Sequence, residues 1–208
     1  MIIAVDGPTA SGKGTIAKAL AAHFGLPHLD TGLLYRAVAL HCVRHGGNPD
    51  SPADALAACD FPAPLMADPE LRSETTGGLA SRVSVHPEVR TALYDLQRAF
   101  AMQSGGAVLD GRDIGTVIAP EAEAKLFVIA SIPARAERRF REMQEMGKAA
   151  NRTTIEADLE LRDLRDATRT AAPLLAAEDA MILDTSLLNR DEAIARAIAL
   201  VELKLESS

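Results

Sequence analysis

Gly7-Pro8-Thr9-Ala10-Ser11-Gly12-Lys13-Gly14-Thr15 is the stretch whose reading decides the fold. It has the spacing G-x-x-x-x-G-K, which carries a mechanism only when a strand precedes it and a helix follows. Both flanks are present: residues 2 to 6 are β-prone, and Ile16, Ala17, Leu20, Ala21 and Phe24 recur at helical spacing after the loop. Glycines 7 and 12 let the backbone curl so that successive N–H groups point inward, and the helix beginning near Lys13 adds its positive end. Anionic phosphates fit that concavity. Lys13 is therefore expected to bridge the β- and γ-phosphates of a nucleoside triphosphate, with Thr15 near Mg²⁺. Gly14 stands between the lysine and the hydroxyl residue, so Thr15 comes one position late and would reach the metal directly or through water. A merely flexible glycine loop would not need these flanking elements.

Outward from the loop, strand-like and helix-like stretches alternate. Strands are expected at 2–6, 28–30, 107–110, 125–130 and 181–184, and helices from near Gly32, over 87–102, 133–146, 155–170 and 190–205. This alternation predicts an α/β fold with a doubly wound, mainly parallel five-stranded sheet whose ligands gather at the strand C-termini. Residues 46 to 69 read as an irregular excursion with one short helix around 52–59, and the polar segment 147–154 as a mobile flap.

The whole chain bounds what such a fold can do. Its 208 residues suit one domain with insertions, and 48% hydrophobic residues suffice for a core. A net charge of −7 argues against general affinity for nucleic acid. No run is long enough for a membrane span or preceded by a basic leader, and Cys42 and Cys59 form no C-x-x-C arrangement, so a reducing cytoplasmic location is expected. The basic residues are 17 Arg and only 5 Lys. Guanidinium suits forked phosphate contacts, although codon bias explains the count equally well.

Phosphate loops serve switches as well as enzymes. A regulatory GTPase is the alternative of a different class, but the chain has no N-K-x-D tetrad and no Asp followed three places later by Gly. It has instead a second charged set. Asp30-Thr31-Gly32-Leu33-Leu34-Tyr35-Arg36 follows the second strand, placing Thr31 and Arg36 where a monophosphate could meet a helix start. Asp110-Gly111-Arg112-Asp113 follows the third strand. There Asp110 can hold the water shell of Mg²⁺, and Arg112 can neutralise an acceptor phosphate that would repel the γ-phosphate. Capping alone would explain the two carboxylates but not the arginine. Arg162, Asp166 and Arg169 are spaced four and three apart, a stripe on one helix with Arg165 beside it. Such a stripe is commonly a solvated face. Beside a flap and a phosphate loop it is expected to close on the transferring group.

Together these residues resemble the bacterial cytidylate kinases. The resemblance rests on D-G-P-x-x-x-G-K-G-T (6–15), D-T-G-x-x-Y-R-A (30–37), Q-R-A-F (97–100), D-G-R-D-I-G-T (110–116) and R-D-x-R-D-x-x-R-x-x-A-P-L (162–174), spread over nearly the whole chain. It implies a P-loop NTPase fold with a nucleoside-monophosphate-binding insertion at about 31–103, a core from 1–30 and 104–208, and a short lid at about 147–158. It also implies a monomer that moves the γ-phosphoryl of ATP onto CMP or dCMP with Mg²⁺. Thr31, Arg36, Arg112, Arg162 and Arg169 are then expected at the acceptor phosphate or transferring group, and Asp166 near the pentose. Ser81, Arg90 and Asp113 are expected at the cytosine, the first two on the shorter match A-S-x-V followed by P-x-V-R. A carboxylate accepts from the N4 amine of cytosine, which uracil lacks. The segment 61–78 is short and Pro-rich beside the family's usual insertion, so a reduced internal sheet is expected there. The runner-up is a related P-loop kinase acting on UMP, AMP or a small hydroxylated metabolite. His23, His28, His41, His45 and His86 are scattered, suggest no metal site or nucleophilic triad, and read as surface or helix residues.

Overall fold

The computed structural model describes residues 1–207. Five strands form one sheet: β1 (Ile2–Asp6), β2 (His28–Asp30), β3 (Ala107–Gly111), β4 (Ala124–Ile129) and β5 (Met181–Asp184), in the order β2-β3-β1-β4-β5. Every neighbouring pair is parallel. Parallel strands need crossovers, and the helices that supply them cover both faces, which is why β1 and β3 are buried along their full length.

On one face, α1 (Lys13–Phe24) turns Ile16, Ala17, Leu20 and Ala21 inward, and α8 (Arg190–Glu206) adds Ala193, Ala197 and Val201 to the same core as Ile3, Val5 and Val128. On the other, α5 (Pro87–Ala101) and a π-helical turn (Ile114–Ile118) pack on Ile2, Ala4 and Leu109. A separate cluster joins α2 (Thr31–Arg44), α3 (Pro52–Ala57), α4 (Glu74–Val83) and α5 through Leu34, Val38, Ala55, Val83 and Val89.

Several boundaries differ from the sequence reading. Between Phe61 and Gly78 there is no strand; two 3₁₀ turns, Ala63–Ala67 and Pro69–Arg72, each with proline in the first turn, lead into α4. The reduced sheet expected there is thus replaced by helix. The sequence reading missed α4, whose two consecutive glycines at 77 and 78 weaken its helical signal. The helix α6 spans Ile132–Glu145, and α7 runs Arg152–Thr168, so much of the 147–158 stretch expected as a lid is already helical. Asn151 caps α7 by accepting from the Thr154 amide, a start signal that lay inside the polar run. Because α7 stops at Thr168, Arg169 is not on its stripe; it is the C-cap, with φ −62° and ψ 142°.

The register aligns the strand ends. Asp6 lies opposite Gly111 and Asp30 opposite Asp110, so the loops after β1, β2 and β3 emerge side by side at one rim.

Candidate active site

The loop after β1 wraps as its composition demands. Gly7 has φ 149° and approaches β4 so closely that a Cβ would sit 2.1 Å from the Val128 carbonyl oxygen. Gly12 has φ 93° as the N-cap of α1, a conformation that costs a side-chain-bearing residue dearly. Ser11 is fully buried, with an Oγ that has no partner. Among the described residues Lys13 Nζ reaches only the Pro8 carbonyl, at 3.4 Å. Burial, with Arg112 nearby, lowers the Lys13 pKa to about 8. An ammonium so poorly compensated is suited to an incoming polyanion.

Two arginines of α6, which the sequence reading did not single out, brace this loop. Arg135 donates to the Thr9 carbonyl at 3.1 Å and is fixed by Asp163 at 2.5 and 3.0 Å. Arg138 donates to the Ser11 carbonyl at 3.3 Å and to Thr185. The missed signal was R-x-x-R on a helix, a spacing that exposed ion pairs also produce.

Beside the loop are two adjoining cavities that share Thr9, Gly32, Arg36, Gly111 and Arg112. The first brings together every residue expected at the acceptor: Thr31, Arg36, Ser81, Arg90, Arg112, Asp113, Arg162, Asp166 and Arg169. Thr31 donates to the Asp110 carbonyl at 2.8 Å. Arg36 donates to the Leu71 and Ser73 carbonyls at 2.8 and 2.9 Å, and a Cβ on Gly77 would meet its guanidinium at 2.7 Å. Arg90 lies over the Tyr35 ring, 5.4 Å from its centroid, and donates to Asp113 at 2.5 Å. Ser81 accepts from Arg165 at 2.9 Å.

Arg112 joins the halves, donating to Asp166 at 2.9 Å and to the Thr9 hydroxyl at 2.6 Å. Lys13 and Arg112 therefore face the same space rather than opposite sides of the molecule. Arg162 pairs with Asp158 at 2.8 Å and with Glu74 at 3.5 Å, yet its buried Nε has no hydrogen-bond partner. Arg169 is almost wholly buried, 3.8 Å from Asp113, with one guanidinium nitrogen lacking a hydrogen bond. Burial, with Arg90 close by, pulls its pKa below the usual guanidinium range. Unpartnered buried N–H groups on these two arginines are costly in isolation, and an anion is the kind of group that could complete them.

The second cavity is lined by Lys13 and Gly14 of the phosphate loop together with Asp30, Asp110, Glu74 and Arg139. Glu74 contacts the guanidinium groups of both Arg139 and Arg162. Neither Glu74 nor Arg139 was singled out from the sequence. Thr15, by contrast, is exposed on the first turn of α1 and lines neither cavity. Gly14 takes the place beside the acid: a Cβ there would lie 3.8 Å from Asp110 Oδ1. Thr15, expected at a metal directly or through water, is thus on the exposed side of this turn, one position past Gly14.

Two histidines read as unremarkable are not. His86 is buried and bonds the Pro49 carbonyl at 2.9 Å, and His28 Nε2 lies 2.7 Å from Asp110 Oδ2. Among the described residues no helix is long and apolar enough to cross a membrane.

Comparison with known proteins agrees with this geometry. The family model described as Cytidylate kinase matches residues 3–203. The Cytidylate kinase of Xanthobacter autotrophicus is 53% identical over 204 residues, covering 98% of each chain. That of Cereibacter sphaeroides is 54% identical over 202 residues, covering 97% of this chain and 95% of its own. A solved structure of an uncharacterized protein from Eubacterium ventriosum shares the fold, with TM-score 0.56 and 15% identity over 97% of this chain and 98% of that one. A motif set distributed along the chain, a fold that gathers it at one rim, and a family match from end to end have one meaning: the chain belongs to the cytidylate kinase family.

Proposed function

We propose that this kinase transfers the γ-phosphoryl group of ATP directly to CMP or dCMP, giving ADP and CDP or dCDP. A phosphate oxygen of the acceptor attacks the γ-phosphorus as the bond to the β–γ bridging oxygen breaks, and that oxygen departs with ADP. The attacking oxygen is already anionic, so no side chain need remove a proton. The chain's task is to hold two mutually repelling anions in line and to neutralise the charge spread over the transferring group.

The observation that carries this reading is Arg112, bonded to the phosphate loop through Thr9 and to the acceptor cavity through Asp166. Residues Gly7 to Gly14 cradle the ATP phosphates, with Lys13 on the β- and γ-groups. Arg112, Arg162 and Arg169 meet the transferring group, Thr31 and Arg36 the acceptor phosphate, and Asp166 the pentose. Ser81, Arg90 and Asp113 read the base. The acceptor-binding region occupies about 31–103, and closure involves the segment after α6.

The residues present fit a magnesium ion. Mg²⁺ keeps most of its waters and takes one or two carboxylates plus substrate phosphates rather than a protein cage. Asp110, facing Gly14 at the phosphate loop, with Asp30 in the same cavity, supplies that donor set. When bound, the ion would neutralise charge on the β- and γ-phosphate oxygens, with Asp110 holding it through water. We further propose a cytoplasmic monomer with no nucleic-acid partner.

Measuring ADP release with CMP, dCMP, UMP, AMP and GMP as acceptors tests the assignment. Turnover is expected with the cytidylates and a matching diphosphate product. ADP formed with water as the only acceptor would overturn the reading.

A further inference from the structure

His28 is a partly buried histidine that the proposed reaction leaves unused, although it touches a group the reaction needs. In the β2–β3 pairing His28 lies opposite Val108 and Asp30 opposite Asp110. His28 and Asp110 therefore project from the same face of the sheet, two positions apart along it. The contact is close, 2.7 Å from Nε2 to Oδ2, and well shielded, the side chains being 16% and 4% exposed. Among the described residues no other side chain is hydrogen-bonded to this carboxylate. Its second oxygen, Oδ1, is the one that faces Gly14 of the phosphate loop.

The two oxygens thus have separate partners. A carboxylate at the end of a strand can rotate about its side-chain bonds, and each rotation would swing Oδ1 away from the loop. A hydrogen bond at Oδ2 fixes that rotation without occupying Oδ1. Such outer-shell partners commonly alter metal affinity or activity by about tenfold to a hundredfold. We propose that His28 is a positioning residue: by holding Asp110 Oδ2 it aims Oδ1 at the phosphate loop and strengthens the grip on magnesium brought by the nucleotide. It touches neither substrate. The proposal rests on the assignment of Asp110 made above.

A plain structural histidine, satisfying a buried acid, would affect folding but not the metal dependence of nucleotide binding. The test is therefore to measure binding of a fluorescent ATP analogue to the full chain with and without Mg²⁺, and to take the ratio of the two dissociation constants. His28→Leu keeps bulk and removes the hydrogen bond; His28→Gln keeps a donor. Expected for His28→Leu is a shift of about tenfold in that ratio, unchanged affinity without metal, and a lower kcat at unchanged KM for CMP. His28→Gln should recover most of the loss. A folded His28→Leu protein with the wild-type ratio, or with an equal loss in the absence of metal, overturns the proposal. If His28→Leu does not fold, His28→Ala is read by the same ratio. Asp110→Ala separates the two layers. An unchanged ratio in that variant sinks the Asp110 assignment itself, whereas a changed ratio there beside an unchanged one in His28→Leu sinks only the role of His28.

Discussion

Arg112 Nη2 lies 2.6 Å from the Thr9 hydroxyl while its Nε lies 2.9 Å from Asp166, so one guanidinium is shared between the phosphate loop and the acceptor cavity. Lysine can place a charge there but cannot reproduce a planar fork with two separately directed donors. Arg112→Lys is expected to lower kcat/KM for CMP by about a hundredfold, a loss typical of removing one donor aimed at developing charge. Affinity for ATP alone should change little, since Lys13 and the loop amides remain. Steady-state kinetics together with direct ATP titration checks this, and an ATP affinity that falls as far as kcat/KM would reject the bridging role.

Asp113 and Arg90 form the other decisive pair. The carboxylate is 4% exposed and held by Arg90 at 2.5 Å, with Arg169 at 3.8 Å. Two cations orient it, and in the proposed complex it accepts from the cytosine amine. A uracil ring would present an acceptor instead, leaving the buried acid facing a carbonyl. Asp113→Asn offers both a donor and an acceptor. It should reduce the preference for CMP over UMP by about tenfold or more, mainly by loss of activity on CMP. Comparing kcat/KM for the two acceptors reads the change, and unaltered selectivity would remove Asp113 from base recognition.

The contrast between these residues and others shows what the sequence exposes. The phosphate loop, the strand order of chemistry along the rim, and the pair Arg162 and Asp166 on one helix are legible because local spacing encodes them, whereas Arg169 lies past the end of that helix. The exposure of Thr15 is not legible in the sequence, because the count from Lys13 does not reveal which way a helical side chain points once Gly14 intervenes. His28 was passed over because its partner lies 82 residues away, and only the β2–β3 register brings them together. Glu74, Arg135 and Arg139 act through tertiary pairings of the same kind. The helix carrying Ser81 and Glu74 was hidden by its own glycines, one of which leaves room for Arg36.

Glu74 illustrates the consequence. Its carboxylate lies between Arg139 and Arg162, each with a buried Nε that has no partner. A carboxylate there resembles the phosphate oxygens that Arg162 is proposed to meet, so it competes with them for the same donor. Replacing it by a neutral amide of equal size should ease that competition. Glu74→Gln is expected to lower the KM for CMP severalfold at saturating ATP, with a smaller change in kcat. An unchanged or higher KM would show that the contact organises the arginines rather than occupying them.

Asp6 ties the turn after Asp113 to the phosphate loop and should leave a mark on stability. Its carboxylate accepts from the Ile114 and Gly115 amides at 2.9 and 2.8 Å, holding the turn that begins at Asp113. Those bonds favour the ionised form, but burial outweighs them, and its pKa rises to about 7. The folded state therefore keeps a proton that the unfolded chain gives up near the ordinary aspartate value of 3.8. The stabilisation this provides is complete below that value and declines as pH rises toward about 7, where both states are ionised. While it lasts, the effect contributes a slope of up to about 1.4 kcal/mol per pH unit. Asp6→Asn cannot titrate, so urea unfolding of the variant across this range should lack that contribution whatever its absolute stability. If wild type and variant show parallel pH dependence, Asp6 is ionised throughout and the two amide bonds, not burial, govern its charge.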